Sequence, residues 1–225
     1  MRFTQAVKIA SIALVAMVCV TPARADFTVP VLPGPEVPLV TILDTLYGAG
    51  NYTRIDDFNS PINDQLWWHV SGSATAQAKY AGFVQDFGFL TPDNVFHLVL
   101  NDVAGNFLGG GPVGTFDPPT GQKIRLALDP SGAPLWSSRQ SDNGGNDHMI
   151  TFRITGNGGG FDSNVIGNYV VCWEDKPLAI TDRDYNDLVV EINGVHPVPE
   201  PASLLMAGAG IAGLILARRR KNAKA

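Results

Sequence analysis

Residues 168–192 read NYVVCWEDKPLAITDRDYNDLVVEI. The apolar runs at 168–173 and 188–192 are of strand length and rich in valine and aromatic side chains, while the stretch between them is polar and carries a proline. This pattern predicts two β-strands joined by a loop. The same pattern recurs along the chain. Ala74, Ala76, Ala78 and Tyr80 alternate with Thr75, Gln77 and Lys79, which predicts a strand with one small-residue face. Further strands are expected at 95–100, 123–128, 135–139 and 149–155, separated by turn-forming clusters such as GGGP at 109–112, DPSG at 129–132 and GNGGG at 156–160. One short helix is expected over 39–47, stopping at Gly48. Many short strands with almost no amphipathic helix predict an all-β fold: a single-domain antiparallel β-sandwich, jelly-roll-like, over 39–196. The glycine-rich clusters do not lead from a strand into a helix, so they read as turns and not as phosphate-binding loops.

The two ends carry different signals. Arg2 and Lys8 precede an apolar run of twelve residues, 9–20, and then Ala23-Arg24-Ala25. This is the layout of a signal peptide over 1–25, with Ala23 and Ala25 as the small residues a signal peptidase reads. A membrane span needs about 20 apolar residues, so a retained anchor here is disfavoured. Residues 26–38 hold Pro30, Pro33, Pro35 and Pro38 and read as an extended leader. At the other end, Pro199-Glu200-Pro201 is followed by an apolar stretch, 202–217, and by Arg218-Arg219-Arg220-Lys221. This arrangement, over 197–225, resembles the PEP-CTERM sorting signal. The resemblance implies a tail recognised by an exosortase, a secreted or cell-surface protein of a Gram-negative bacterium, and transient anchoring in the inner membrane. The physics agrees: a 16-residue helix rises about 24 Å, slightly short of a hydrocarbon core, and a basic cluster stays on the cytoplasmic side. A permanent single-span anchor is the alternative.

Between these ends, residues 26–201 hold 8 basic and 21 acidic side chains, a net charge of −13. Such a surface repels nucleic acid and attracts divalent cations. Cys19 leaves with the signal peptide and Cys172 remains alone, so no intrachain disulfide is available and stability must come from the core or from a bound ion.

The loop between the last two apolar runs concentrates that charge. Glu174, Asp175, Asp182, Asp184, Asn186 and Asp187 fall within fourteen residues. Carboxylates this crowded repel one another, and ordering them calls for a cation. Calcium suits the donors, because it takes six to eight oxygens in irregular geometry and draws on Asp and Asn at alternate positions, as at Asp182, Asp184 and Asn186. The glycine and the terminal glutamate of an EF-hand are missing. Asp147, in the run DNGGND at 142–147, is a further candidate ligand. The alternative is a solvated hairpin loop whose Asp and Asn residues cap turns.

The stretch 141–193 resembles an extracellular family catalogued as domain of unknown function 4114. The resemblance rests on Trp173-Glu174-Asp175, on the run from Asp182 to Asp187 entering an apolar strand, and on Asp147-His148 opening an earlier one. It implies a secreted, calcium-binding β-rich domain. The loop at 176–181 departs from the family in having no glycine.

Nothing in the chain composes an active site. His69, His97, His148 and His196 lack zinc spacing, and a lone cysteine mid-strand reads as a small core residue. No Gly-x-Ser-x-Gly is present, and a single crowded loop does not separate an acid from a base. Adjacent residues on a strand face opposite ways, so at most one ring of Trp67-Trp68 lines a sugar-stacking face while the other enters the core, and plain core packing is the alternative. The expectation is therefore a non-enzymatic, calcium-binding structural or adhesion protein of the cell surface or of an extracellular matrix or biofilm. Extracellular polysaccharide is a candidate partner, and a secreted carbohydrate-binding module is the alternative.

Overall fold

The computed structural model describes residues 36–56, 62–69, 71–117, 121–159 and 165–199. These residues form one helix, α1 (Leu39–Tyr47), and the strands β1 (Tyr52–Arg54), β2 (Ile62–His69), β3 (Gly72–Lys79), β4 (Gln85–Leu90), β5 (Phe96–Val103), β6 (Phe107–Leu108), β7 (Val113–Phe116), β8 (Lys123–Pro130), β9 (Trp136–Ser137), β10 (Met149–Ile154), β11 (Tyr169–Trp173), β12 (Leu188–Ile192) and β13 (Val195–Pro199). One sheet runs β1-β10-β11-β12-β3-β6, with β7 also on β3; the other runs β13-β2-β8-β4-β5, with β9 on β8. All pairings are antiparallel. The all-β sandwich expected from the alternating pattern is therefore the fold.

Two apolar clusters hold three layers together. Between the sheets, Trp67, Phe87, Leu126 and Leu128 from one side meet Phe116, Val171, Trp173 and Val190 from the other. On the outer face of the first sheet, Ile150, Val170, Cys172 and Val189 lie beneath α1. The alternation in β11 serves both clusters, since successive side chains point to opposite faces and here both faces are covered. Cys172 is buried and free, as a core residue.

The helix forms where the sequence places it. Leu39, Ile42, Leu43, Leu46 and Tyr47 recur at helical spacing and are buried together. Pro38 precedes them, its carbonyl accepting from the Ile42 N–H at 3.1 Å, and Gly48 ends the helix at φ 82° with its N–H on Asp44 O at 2.9 Å. A nine-residue helix is unstable alone. Burying each of its leucine or isoleucine side chains contributes about 1.5–3 kcal/mol, so docking on the sheet decides its existence.

Two expectations require correction. The small-residue face of β3 is divided: Ala74 and Ala76 face the inter-sheet core, whereas Ala78 joins the helix-side cluster. The cause is a bulge, because Ala76 pairs with Val190 and Ala78 with Val189, leaving Gln77 as an extra residue that switches the face taken by the residues after it. The domain boundary also moves. β13 carries the fold to Pro199, beyond the expected end at 196, and pairs with β2 as Val195↔His69, His196↔Trp68, Pro197↔Trp67 and Pro199↔Ile62. Prolines argue against a central strand but are tolerated at a sheet edge, which is where β13 lies. The signal peptide with Ala23 and Ala25, the leader up to residue 35, Glu200, Pro201, the stretch 202–217 and Arg218, Arg219 and Arg220 lie outside the described residues. Among the described residues no helix is long and apolar enough to cross a membrane.

Candidate metal centre

β11 and β12 pair directly, from Tyr169↔Ile192 to Trp173↔Leu188, so the loop between them emerges at one end of the sandwich. The start of β10, preceded by Asp147 and His148, and Gln85 at the start of β4 come to the same end. Hydrogen bonds join them: His148 O accepts from the Glu174 N–H at 3.0 Å, and the Gln85 amide donates to Asp175 Oδ2 at 2.8 Å. The Trp136 indole N–H donates to Asp175 O at 2.9 Å, and its ring stacks on His148 at 3.8 Å.

The expected ligands divide into groups. Asp182 and Asp184 come together, and Glu36 from the segment before α1 joins them, with one carboxylate oxygen of each within 4.8 Å of the others. Glu174 lies just behind, accepting from the Tyr185 N–H at 2.8 Å and from the Thr181 hydroxyl. Asp175 and Asp187 form a deeper pair, in which Asp187 Oδ2 accepts from the Asp175 N–H at 2.8 Å. Lys79 is buried beside this pair and donates to Ala81 O at 2.6 Å. Asn186 turns to the N-terminal segment, donating to Val37 O at 3.0 Å. Asp147 is engaged by Gln140 and by the Met149 N–H, and its carbonyl accepts from the Tyr185 hydroxyl at 2.8 Å. Arg183 and Tyr185, on either side of Asp184, take left-handed backbone at φ 60° and 55°.

Electrostatics sets this end apart. Burial, reinforced by Asp182 and Glu174, pushes Asp184 up to about 7. Burial, reinforced by Asp175 and Glu174, pushes Asp187 up to about 9. Glu174 is also raised, by burial first, against the hydrogen bonds from Thr181 and Tyr185. Burial lowers His148 to about 4, and its Nδ1–H donates to Glu174 O at 3.2 Å, leaving Nε2 as a neutral acceptor. Buried polar atoms normally have partners. Among the described residues, the buried side-chain atoms without one are Gln85 Oε1, His148 Nε2, Trp173 Nε1, Asp175 Oδ1 and Asp184 Oδ2, all at this end. Four are acceptors, three of them oxygens. The Trp173 N–H is a donor and stands apart from that set. Carboxylate and amide oxygens with unmet lone pairs fit a hard divalent cation, calcium or magnesium, better than zinc.

Glu36 is the member of this carboxylate cluster that the sequence pattern does not reveal. It sits in a proline-rich run far upstream, and no spacing links it to 182–184. Of the two tryptophans, Trp67 enters the core, and Trp68 is 40% exposed with Lys123 Nζ 5.1 Å from its ring centre. A cavity of about 420 Å³, lined by Thr91, Pro92, Asp93, Val95, His97 and Gln122, opens at the other end of β4, away from the acidic loop.

Comparison with protein families matches residues 197–221 to the PEP-CTERM protein-sorting motif. The tail is a sorting motif. It marks an extracellular protein sorted by an exosortase in a Gram-negative bacterium. The PEP-CTERM motif begins inside the fold, since 197–199 belong to β13. The likeness of 141–193 to domain of unknown function 4114 lies outside the matched span and rests on its motifs alone. No curated protein matches the chain. Solved structures similar to it include a high-affinity mannose-binding lectin of Ralstonia solanacearum, 18% identical over 60% of this chain and 96% of that one, with a TM-score of 0.33. The C-terminal domain of a Burkholderia cenocepacia lectin is 17% identical over 61% and 98%, with a TM-score of 0.33. A Chromobacterium violaceum lectin in complex with alpha-methyl-fucoside is 16% identical over 60% and 96%, with a TM-score of 0.32.

Proposed function

We propose that this chain is a non-enzymatic extracellular protein whose sandwich binds calcium at the loop between β11 and β12, and which serves at the cell surface or in the surrounding matrix as a structural or adhesion component. The PEP-CTERM motif supports the location. One observation carries the calcium reading: carboxylates from two distant parts of the chain converge within 4.8 Å, and the buried Asp184 Oδ2 among them has no hydrogen-bond partner. Three negative charges at that range are unfavourable unless a cation lies among them. Glu36, Asp182 and Asp184 would hold the ion, with Glu174 behind them. The ion supplies the opposing charge that lets the loop stay ordered with its carboxylates ionised. Calorimetric titration of the protein with calcium tests this. Saturable binding that Asp184→Asn weakens at least tenfold is the expected result, and absence of binding at millimolar calcium overturns the reading.

A second reading, carbohydrate binding, rests on the exposed ring of Trp68. Sugars stack on such rings, and Lys123 beside it offers a donor. A glycan array with the native protein and Trp68→Ala tests it: a glycan retained by the native protein and lost by the variant supports this reading, and a blank array removes it.

A further inference from the structure

The leader residue Glu36 does more than add a third carboxylate. Glu36 and Val37 are consecutive, and both meet the 182–186 run: Val37 O accepts from Asn186 Nδ2 at 3.0 Å, while the Glu36 carboxylate approaches those of Asp182 and Asp184. The first contact draws the segment in. The second, without a cation, pushes it out, because like charges this close repel. Three residues beyond Glu36 the chain enters α1, whose buried side covers Ile150, Val170, Cys172 and Val189. The far end of α1 has its own fastenings, Tyr47 OH on Glu191 Oε2 at 3.2 Å and Tyr52 OH on Asp44 Oδ1 at 2.8 Å. The near end has the acidic loop, and Tyr185, between Asp184 and Asn186, packs its ring into the cluster that α1 covers.

We propose that the cation held by Glu36, Asp182 and Asp184 is a clasp: it ties the segment before α1 to the β11–β12 loop and so fastens α1 over the outer face of its sheet. This rests on the calcium reading above and extends it, since an ion bound by the loop alone would leave α1 indifferent to calcium. The buried Asp184 Oδ2, without a hydrogen-bond partner, is the independent sign that a ligand belongs there. With the ion bound, α1 stays closed and Cys172 beneath it is shielded. With the ion removed, the N-terminal end of α1 lifts more often and the thiol becomes accessible.

Cys172 is therefore the reporter. The test uses the full chain carrying Cys19→Ser, so that Cys172 is the remaining thiol, and measures its rate of modification by a small thiol reagent in calcium and in chelator, alongside calorimetric calcium titration and hydrogen exchange at the Ile42 amide. Calcium is expected to slow both thiol modification and Ile42 exchange at least tenfold. Glu36 is exposed, so replacing it does not endanger folding. Glu36→Gln is expected to weaken calcium binding and to lose most of the slowing. Glu36→Lys, which places a positive charge among the two remaining carboxylates, is expected to give slow modification even in chelator. Calcium binding without any change in either rate, or a Glu36→Gln variant indistinguishable from the parent, overturns the clasp and leaves the calcium reading standing. Absence of calcium binding by the parent overturns both.

Discussion

Two loops that carry Asp and Asn, 142–147 and 174–187, are closed in different ways. In the first, Asp142 is met by protein cations: Arg125 Nη1 at 2.5 Å and Arg139 Nη2 at 2.6 Å. Burial pulls Asp142 upward, but hydrogen bonds from Arg139, Arg125 and Ser137 outweigh it and hold the carboxyl below its ordinary range. In the second, no ion pair among the described residues involves Glu174, Asp175, Asp184 or Asp187. Burial and mutual repulsion push Asp184 up to about 7 and Asp187 up to about 9. Arg183, at the centre of the second loop, directs its guanidinium to Leu178 O at 3.3 Å. An acidic run is thus not in itself a cation site. What matters is whether the fold brings its own positive charge to it.

Removing calcium is the strongest way to break this contrast. At 100 times its dissociation constant a ligand adds about 2.7 kcal/mol, and for a domain of this size chelation is expected to lower the melting temperature by about 5–10 °C. Asp184→Asn is expected to bring the chelated and calcium-loaded melts together. A chelator-insensitive melt of the native protein would place the second loop with the first.

Arg125→Ala tests the other loop. Arg125 is buried and also donates to Thr91 O and Asn94 Oδ1, both at 2.8 Å. Its loss leaves several acceptors unmet and is expected to cost about 2 kcal/mol, measured by urea unfolding, equally with and without calcium. A loss that calcium repairs would mean that the two loops share one ion.

The pH dependence should differ in sign between the loops. The folded-state values of Asp184 and Asp187 lie above the unfolded carboxylate value of about 4, so ionising them in the metal-free fold reduces stability. The neighbouring negative charges of Asp182, Glu174 and Glu36 at Asp184, and of Asp175 and Glu174 at Asp187, reinforce the upward shift that burial begins. In chelator the melting temperature is expected to fall by a few degrees between pH 5 and pH 9, and in saturating calcium to fall less, because the ion keeps Asp184 ionised while the deeper Asp187 still titrates. Asp142 behaves oppositely, contributing stability at neutral pH that is lost in acid as its depressed pKa is passed. A level profile in chelator would refute the crowding of the second loop.

The smallest effect belongs to Arg139→Ala. This side chain is 40% exposed, and its pair with Asp142 is expected to contribute less than about 1 kcal/mol. A larger loss, read in the same urea experiment, would show that Asp142 depends on both arginines equally.

Much of the fold was legible along the chain. The helix stands over Leu39–Tyr47 and stops at Gly48, as read from its apolar spacing, and β12 over Leu188–Ile192 lies where its valines indicated. β13 was not legible, because Pro197 and Pro199 argue against a strand unless it lies at an edge. β4, with Asp86 and Gly88 inside it, gives no clean alternation, since its residues are buried by neighbours on both sides. In the candidate site, the acidic loop could be seen as a concentration of charge. The division of its carboxylates into an outer set with Glu36 and an inner pair beside Lys79 could not.

The sequence alone determined the class of fold, the position of the helix, the sorting tail and the loop that carries the charge, because each depends on neighbours along the chain: period, caps and composition. The tertiary structure alone decided which carboxylates meet, which loop receives arginines and which tryptophan is exposed. Those outcomes depend on distances between segments far apart in the chain. Coulomb energy and burial depend on such distances, and no local pattern encodes them.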